Sequence, residues 1–269
     1  MKKLLAIILA LVMTVGAVFT MSSCTKDDDT LVCGVTIFEN MNEQDENGNW
    51  TGFESEFAME VGKIIGMDVK FQIIEWGQKY NELNSGAIDC IWNGFTANSN
   101  DTDPSGKEVK RSDLVDFSYG YMLNQQCIVI RSDNADAIKS VADLAGKSAA
   151  VENGSAGDTY ATSVTEGEIF RATVQADTFK EVKSGAVQFA VVDIVLARNI
   201  CGKGNYEDLM IVEEIELESE IYAVGFKKDS PLTARVNEAI ETLFENGKLM
   251  EIAEKYGFEN VIQLSKTIE

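Results

Sequence analysis

The chain has 269 residues, of which 45% are hydrophobic, and this predicts a globular protein of one or two domains. Its net charge of −21 at pH 7 argues against nucleic acid and anionic lipid as partners, because both repel a strongly acidic surface. The sequence has no His and no C-x-x-C spacing among its five Cys, so it lacks the commonest metal ligand and general base, and we expect no metal site.

Residues 1–23 have the form of a signal peptide, in which two lysines precede an apolar run that ends at Phe19. The run is shorter than the roughly 20 residues that a membrane-spanning helix needs. The segment MSSC that ends at Cys24 resembles a bacterial lipobox, which implies that Cys24 becomes the lipidated first residue of the mature protein. An ordinary signal peptide is the alternative. Polar residues 24–30 suit a tether between lipid and domain.

Three of the other four cysteines, Cys33, Cys90 and Cys127, lie in apolar runs typical of strands, and Cys201 is the fourth. Buried free thiols are the favoured interpretation. A bridge between Cys33 and Cys90 stays open, because an exported chain meets oxidising conditions.

Apolar runs and turn residues predict strands that alternate with helices along the chain. The predicted strands are 31–38, 68–76, 87–92, 125–132, 148–151, 187–193, 209–212 and 220–226. The predicted helices are one that ends before Gly66, a short one at 78–84, one at 194–201, one with an apolar stripe from Leu232 to Phe244, and one that ends at Tyr256. The alternation indicates an α/β fold, with mainly parallel sheets flanked by helices.

An internal echo divides this pattern in two. The segment ELNSGAI at 82–88 matches EVKSGAV at 181–187, and the two copies lie 99 residues apart. Each leads from a helix into an apolar strand. The echo predicts two lobes of related α/β build.

One polar segment follows the third predicted strand. Asn93 and Gly94 come directly after Cys90-Ile91-Trp92, Thr96 follows, and Arg111 precedes the run Val115-Asp116-Phe117-Ser118. A strand end that presents backbone N–H groups, a hydroxyl and a guanidinium is suited to bind a carboxylate, since Arg donates two parallel hydrogen bonds to such a group.

The segment resembles the core motif of the extracellular solute-binding proteins that serve polar-amino-acid ABC transporters. That motif runs roughly Asp-x-Ile-x-x-Gly-x-Thr-x-Thr-x-x-Arg, then a short spacer, Val-Asp-Phe-Ser and an aromatic pair. In the family the Gly backbone, the first Thr and the Arg hold the α-carboxylate of the ligand, and the matching positions are Gly94, Thr96 and Arg111. Residues 98–110 are an insertion relative to the family, which makes Lys110 a competitor, but the spacing to the Asp-Phe-Ser run favours Arg111.

The resemblance implies a type II periplasmic-binding-protein fold of two lobes joined by two hinge crossings. It implies lobe 1 at 31–127 and 221–269, and lobe 2 at 128–220. Asp193 ends a strand and corresponds to the family's partner for the ligand's α-ammonium, although a helix N-cap is the simpler role. Gly157 belongs to a glycine-rich turn at a helix start, where free N–H groups attract anions. The expected ligand-binding residues are Phe38, Trp76, Asn93, Gly94, Thr96, Arg111, Gly157 and Asp193, of which the two aromatics cover the ligand's side chain.

The function implied by the resemblance is capture of a free amino acid for an ABC permease in the membrane, by a monomer without cofactor or catalytic residue. The lipid on Cys24 would anchor it to the outer face of the cell membrane. Family members that bind cationic amino acids tend to carry an acid at the position of Val35, so a polar, uncharged ligand such as glutamine or cystine is favoured, although Glu39 keeps the cationic class open. The alternatives are an exported cyclohexadienyl (arogenate/prephenate) dehydratase on the same fold and a receptor's sensing domain, for which no membrane span or kinase follows.

Overall fold

The computed structural model describes residues 29–103 and 105–268. The predicted signal peptide, Cys24 and all but the last two residues of the predicted tether lie outside this part. No helix among the described residues is long and apolar enough to cross a membrane.

Strands and helices alternate along the described chain. In chain order the strands are β1 (Thr30–Val35), β2 (Glu43–Gln44), β3 (Trp50–Thr51), β4 (Asp68–Ile73), β5 (Cys90–Ile91), β6 (Asn100–Thr102), β7 (Glu108–Lys110), β8 (Asp116–Phe117), β9 (Gly120–Arg131), β10 (Ala149–Glu152), β11 (Ile169–Ala172), β12 (Phe189–Asp193), β13 (Leu209–Ile211), β14 (Ser219–Tyr222), β15 (Gly225–Phe226) and β16 (Ile262–Ser265). The α-helices are α1 (Phe53–Ile65), α2 (Lys79–Ser85), α3 (Arg111–Leu114), α4 (Ala156–Val164), α5 (Gln175–Ser184), α6 (Ile194–Ile200), α7 (Pro231–Glu245) and α8 (Lys248–Tyr256). Short 3₁₀ turns lie at Trp76–Gln78, Ser132–Asn134, Val141–Leu144 and Gly204–Tyr206.

The strands form two principal sheets, which confirms the predicted two-lobed α/β class. Sheet 1 has the order β4-β1-β5-β15-β8. Sheet 2 has the order β11-β10-β12-β9-β13, and β14 and β16 also pair with β9. Helices α1, α7 and α8 pack on one another beside sheet 1.

Both sheets are mixed rather than mainly parallel. Parallel pairs include β1 with β5, and β10 with β11 and β12. Strands β9, β14 and β15 instead pair antiparallel, because they carry the chain from one sheet to the other and back. The predicted lobe boundaries, 127/128 and 220/221, fall inside β9 and β14.

The sequence echo corresponds to two matching helix ends. Helices α2 and α5 end at Gly86 and Gly185, whose φ angles of 78° and 76° lie in the left-handed region that favours glycine. The N–H of each glycine donates to two carbonyls of the last helical turn. Each helix then leads into a central strand, β5 in sheet 1 and β12 in sheet 2.

Two local features bear on the sequence predictions. Cys33 and Cys90 are partners across β1 and β5, where their buried free thiols lie 3.6 Å apart. The inserted segment 98–110 contains the hairpin β6–β7, and Arg111 begins the helix that follows it.

Candidate functional site

A narrow cavity lies between the two sheets. Its walls come from the carboxyl ends of β1, β5, β10 and β12, the edge at which α/β sheets bind ligands. The lining residues are Thr36, Ile37, Phe38, Trp76, Asn93, Gly94, Thr96, Arg111, Gln126, Glu152, Ser155, Ala156, Gln175, Asp193 and Leu196. Seven of the eight predicted ligand-binding residues are therefore brought together here, and Gly157 is not.

Aromatic side chains form the apolar wall. Phe38 follows β1 and Trp76 follows β4, the neighbouring strand, so both lie at the same edge of sheet 1. The Trp76 ring packs edge-on against Phe95, with centroids 5.4 Å apart. Only 6% of Phe38 and 4% of Trp76 are exposed, so this wall is shielded from solvent.

Gly94 is fixed from behind by a buried carboxylate. Its N–H donates to both oxygens of Glu54, at 2.8 and 2.9 Å, so this N–H is already occupied. The hydroxyl of Tyr121 also donates to Glu54. Burial raises the pKa of Glu54 to about 7, although these donors act to lower it. Glycine is required at position 94 because φ is +56° and a Cβ would lie 3.0 Å from the ring of Tyr222.

The side chain of Asn93 joins the ends of two strands. Its Oδ1 accepts from the N–H of Thr36 and from Asn42, and its Nδ2 donates to the hydroxyl of Thr36. Asn93 therefore holds the chain after β1 against the chain after β5. One Nδ2 hydrogen is left for a ligand.

Arg111 is 1% exposed and lines the cavity. Its Nη1 donates to the carbonyl of Thr96 at 3.0 Å, and its Nη2 donates to the carbonyl of Gly154, on the sheet 2 side, at 3.5 Å. The guanidinium carries five N–H groups, so donors remain for a ligand carboxylate. The hydroxyl of Thr96 has no hydrogen-bond partner within the described residues.

The hairpin of the insertion supplies a counter-ion that the sequence did not reveal. Asp101 of β6 lies 3.5 Å from Nε of Arg111 and 3.3 Å from Nζ of Lys79, and it accepts from the hydroxyl of Tyr80 at 2.9 Å. Burial acts to raise the pKa of Asp101, but the two cations outweigh it and the pKa is lowered. Burial and the charge of Arg111 lower the pKa of Lys79 to about 8.

Asp193 ends β12 and accepts four hydrogen bonds, three at Oδ1 and one at Oδ2, so Oδ2 can accept a further one. The donors are Asn124 (2.6 Å), Gln126 (2.8 Å) and the hydroxyl of Tyr222 (2.6 Å) to Oδ1, and Gln175 (2.6 Å) to Oδ2. Burial raises the pKa of Asp193, whereas these donors act to lower it. Asp193 also precedes α6, but its side chain makes no cap hydrogen bond.

Glu152 is a cavity residue that the sequence reasoning missed. It ends β10, beside β12, and is 5% exposed. Its Oε1 is buried without a hydrogen-bond partner among the described residues. Burial and the charge of Asp193 raise the pKa of Glu152 to about 8. The signal was present, because an acid at the end of a strand was the reason for choosing Asp193.

Gly157 lies in the first turn of α4 and outside the cavity lining. A Cβ there would lie 2.7 Å from the carbonyl of Val191 and 3.0 Å from Oε1 of Gln126. Its lack of a side chain therefore lets α4 pack closely on β12. The start of α4 is capped by Ser155, whose side chain accepts from the N–H of Asp158.

The site offers a cation and two carboxylates within apolar and amide walls, which is the chemistry needed to hold a zwitterion. No group of three or more Cys, Asp or Glu side chains in residues 29–103 and 105–268 is placed to hold a metal ion.

Comparisons with known proteins agree with this chemistry. The model of the bacterial extracellular solute-binding proteins, family 3, matches residues 31–260. The arginine-binding extracellular protein ArtP of Bacillus subtilis is 24% identical over 266 residues, which cover 95% of this chain and 98% of that protein. An ancestral arginine-binding protein bound to arginine has a TM-score of 0.74 at 29% identity, covering 85% of this chain and 98% of that one. The ancestral amino acid-binding protein AncCDT-1, a precursor of cyclohexadienyl dehydratase, has a TM-score of 0.72 at 27% identity, covering 85% and 95%.

Proposed function

This chain belongs to the bacterial extracellular solute-binding proteins of family 3, and from that premise we propose that it captures a free amino acid for an ABC importer. The observation that carries the proposal is the meeting of Arg111, at the start of α3, and Asp193, at the end of β12, in one cavity. Arg111 binds the α-carboxylate and Asp193 binds the α-ammonium. Both charges of a buried zwitterion need such partners, because burial without them is costly.

The other lining residues have distinct roles in this proposal. Thr96 adds its hydroxyl to the polar floor, and Phe38 and Trp76 cover the ligand's side chain. Asn93 and Gly94 position the floor, since Asn93 binds the chain after β1 and the N–H of Gly94 binds Glu54 of α1. Gly157 contributes to packing rather than to ligand contact.

Lobe 1 (31–127 and 221–269) and lobe 2 (128–220) close over the ligand. The amine of Lys79 donates to the carbonyl of Gly154 at 2.9 Å, and a Cβ on Gly154 would touch Gly77 at 3.4 Å. These contacts join the two lobes beside the cavity. A ligand that bridges Arg111 and Asp193 gains both partners only in the closed form, so it favours closure.

The protein is proposed to act as a monomer at the outer face of the cell membrane and to deliver its ligand to a permease. Residues 1–23 direct export, and a lipid on Cys24 anchors the domain through the tether at 24–30. The support for this step is the sequence pattern alone.

The exported dehydratase is the second candidate, and the likeness to AncCDT-1 supports measuring it. Elimination of a hydroxyl group requires a proton donor, and the raised pKa of Glu152 makes it a candidate donor. We expect no turnover of arogenate or prephenate. Measurable formation of phenylalanine or phenylpyruvate would replace the transport proposal with catalysis.

Thermal unfolding tests the proposal. The protein is unfolded and refolded to remove bound ligand, and then heated with each of the twenty amino acids and with cystine. A ligand at 100 times its dissociation constant adds roughly 2.7 kcal/mol to the free energy of unfolding, so the midpoint rises. We expect a rise with one or a few amino acids. No rise with any of them would contradict the proposed function.

A further inference from the structure

The sequence analysis used Val35 and Glu39 to infer whether the ligand's side chain is uncharged or cationic. Neither residue lines the cavity. Val35 is the last residue of β1 and is fully buried in the core, and Glu39 is exposed. The preference for a polar, uncharged ligand therefore has no support at these two positions. The groups that do face the ligand are those at the strand ends.

We propose that Glu152 is a specificity-determining residue that pairs with a cationic nitrogen on the ligand's side chain, so that the preferred ligands are cationic amino acids. The inference rests on the proposed function, because it assigns the ligand class of the same site. Glu152 lines the cavity, and only 5% of it is exposed. Its Oε1 has no hydrogen-bond partner in the described chain. A donor on the ligand would supply the partner that this buried oxygen lacks.

Asp193 has less capacity than Glu152 for a second ligand nitrogen. Its Oδ1 already accepts three hydrogen bonds and its Oδ2 accepts one. One further bond, to the α-ammonium, completes Oδ2. A second cationic nitrogen on the ligand is then left to Glu152.

The position of Glu152 also favours the ligand's side chain over its α-ammonium. The residues after it, Asn153 and Gly154, lie against Gly77, which directly follows Trp76. Glu152 thus enters the cavity beside the aromatic wall that covers the side chain. Asp193 lies one strand nearer to the crossing strand β9.

The balance of charge supports the same class. Two cations, Arg111 and Lys79, lie at the cavity or directly behind it, and both contact Asp101. Five carboxyl groups lie there: the buried Glu152 and Asp193, the buried Glu54 and Glu220, which bind the lining residues Gly94 and Gln126, and the partly buried Asp101. A zwitterion adds one charge of each sign and leaves the excess of negative charge unchanged. A ligand with an additional positive charge reduces it.

Paired ligands test the proposal in the refolded, ligand-free protein by isothermal titration. Citrulline replaces the guanidinium of arginine with a neutral group of similar shape, and norleucine removes the amine of lysine. We expect arginine or lysine to bind about 10- to 100-fold more tightly than its neutral analogue. In Glu152→Gln that ratio should fall below about threefold, whereas Glu166→Gln, an exposed glutamate of lobe 2 away from the cavity, should retain the wild-type ratio. Far-UV circular dichroism confirms that each variant is folded.

Each outcome separates the two proposals. If neutral amino acids bind as tightly as cationic ones, the assignment of Glu152 is wrong and capture of an amino acid stands. If Glu152→Gln weakens arginine and citrulline equally, Glu152 contacts the α-ammonium or supports the site, and its role in specificity is lost. If no amino acid binds to the wild-type protein, the proposed function itself has failed.

Discussion

The carboxylate of Asp101 lies 3.5 Å from Nε of Arg111, so the hairpin inserted before Arg111 supplies that residue's counter-ion. The same carboxylate lies 3.3 Å from Nζ of Lys79. Asp101 thus holds two buried cations in place and directs the remaining N–H groups of Arg111 towards the cavity. The insertion departs from the family motif, and its Asp101 helps to position Arg111 at the site.

Arg111→Ala should lower ligand affinity by about 100-fold or more, because a guanidinium makes paired, charge-assisted bonds to a carboxylate. Arg111→Lys should recover only part of the loss, since an ammonium lacks the fork geometry. Isothermal titration with the ligand found by thermal unfolding measures both. Arg171→Ala is the matched control, because Arg171 forms a half-exposed pair with Asp158. Retained affinity in a folded Arg111→Ala protein would remove the carboxylate assignment.

Asp101→Asn should weaken binding by about tenfold while leaving the cavity residues unchanged in sequence. The neutral amide no longer offsets the charges of Arg111 and Lys79, so the two cations repel each other and Arg111 is less well positioned. Glu108→Gln, an exposed change on the partner strand of the same hairpin, is the control. Equal affinities for the two variants would show that the hairpin has no part in positioning Arg111.

The strand-and-helix pattern and most of the site could be predicted from the sequence, because each depends on local signals. Gly86 and Gly185 mark helix ends, because each end has a left-handed backbone conformation that favours glycine. Phe38 and Trp76 follow runs of residues that are recognisable as strands. Asp101 could not be predicted, since its partner depends on how the hairpin folds back over Lys79. Glu152 could have been, because it ends a strand as Asp193 does. The hydrogen bonds from the N–H of Gly94 to Glu54 could not be predicted either, because they depend on how α1 packs beside the chain that follows β5.

Cys24→Ala should move the protein from the membrane to the soluble fraction of cells that export it. Lipidation requires the thiol of that cysteine, and an acyl anchor is what holds an acidic protein at a membrane that otherwise repels it. Fractionation and immunoblotting measure the distribution. Cys201→Ala, which leaves the MSSC segment intact, serves as control. A Cys24→Ala protein that remains with the membrane would contradict lipidation at this position.

Glu54 and Glu56 lie two residues apart on α1 and should give stability profiles of opposite sign. Burial raises the pKa of Glu54 to about 7, above its ordinary value of 4.5, so its contribution is fully present below pH 4.5 and is lost as pH rises through about 7. Burial acts to raise the pKa of Glu56 as well, but Lys255 and Tyr256 outweigh it and lower the pKa, so its contribution is present above pH 4.5 and lost as pH falls. Glu54→Gln should therefore gain stability relative to wild type between pH 5 and pH 8, by at most about 3 kcal/mol.

Urea unfolding at pH 5, 6, 7 and 8 measures these differences. The slope with pH is the readout, because replacing a carboxylate by an amide also alters hydrogen bonds to Gly94 and Tyr121 by an amount that does not vary with pH. Glu56→Gln should be less stable than wild type by a constant, smaller amount from pH 5 to pH 8, because its partners are partly exposed, and the deficit should shrink only in added measurements below pH 4.5. Parallel profiles for wild type and Glu54→Gln would mean that Glu54 is ionised throughout, held by donors from Gly94, Tyr121 and Asn42, and that Gly94 is positioned by a permanent charge.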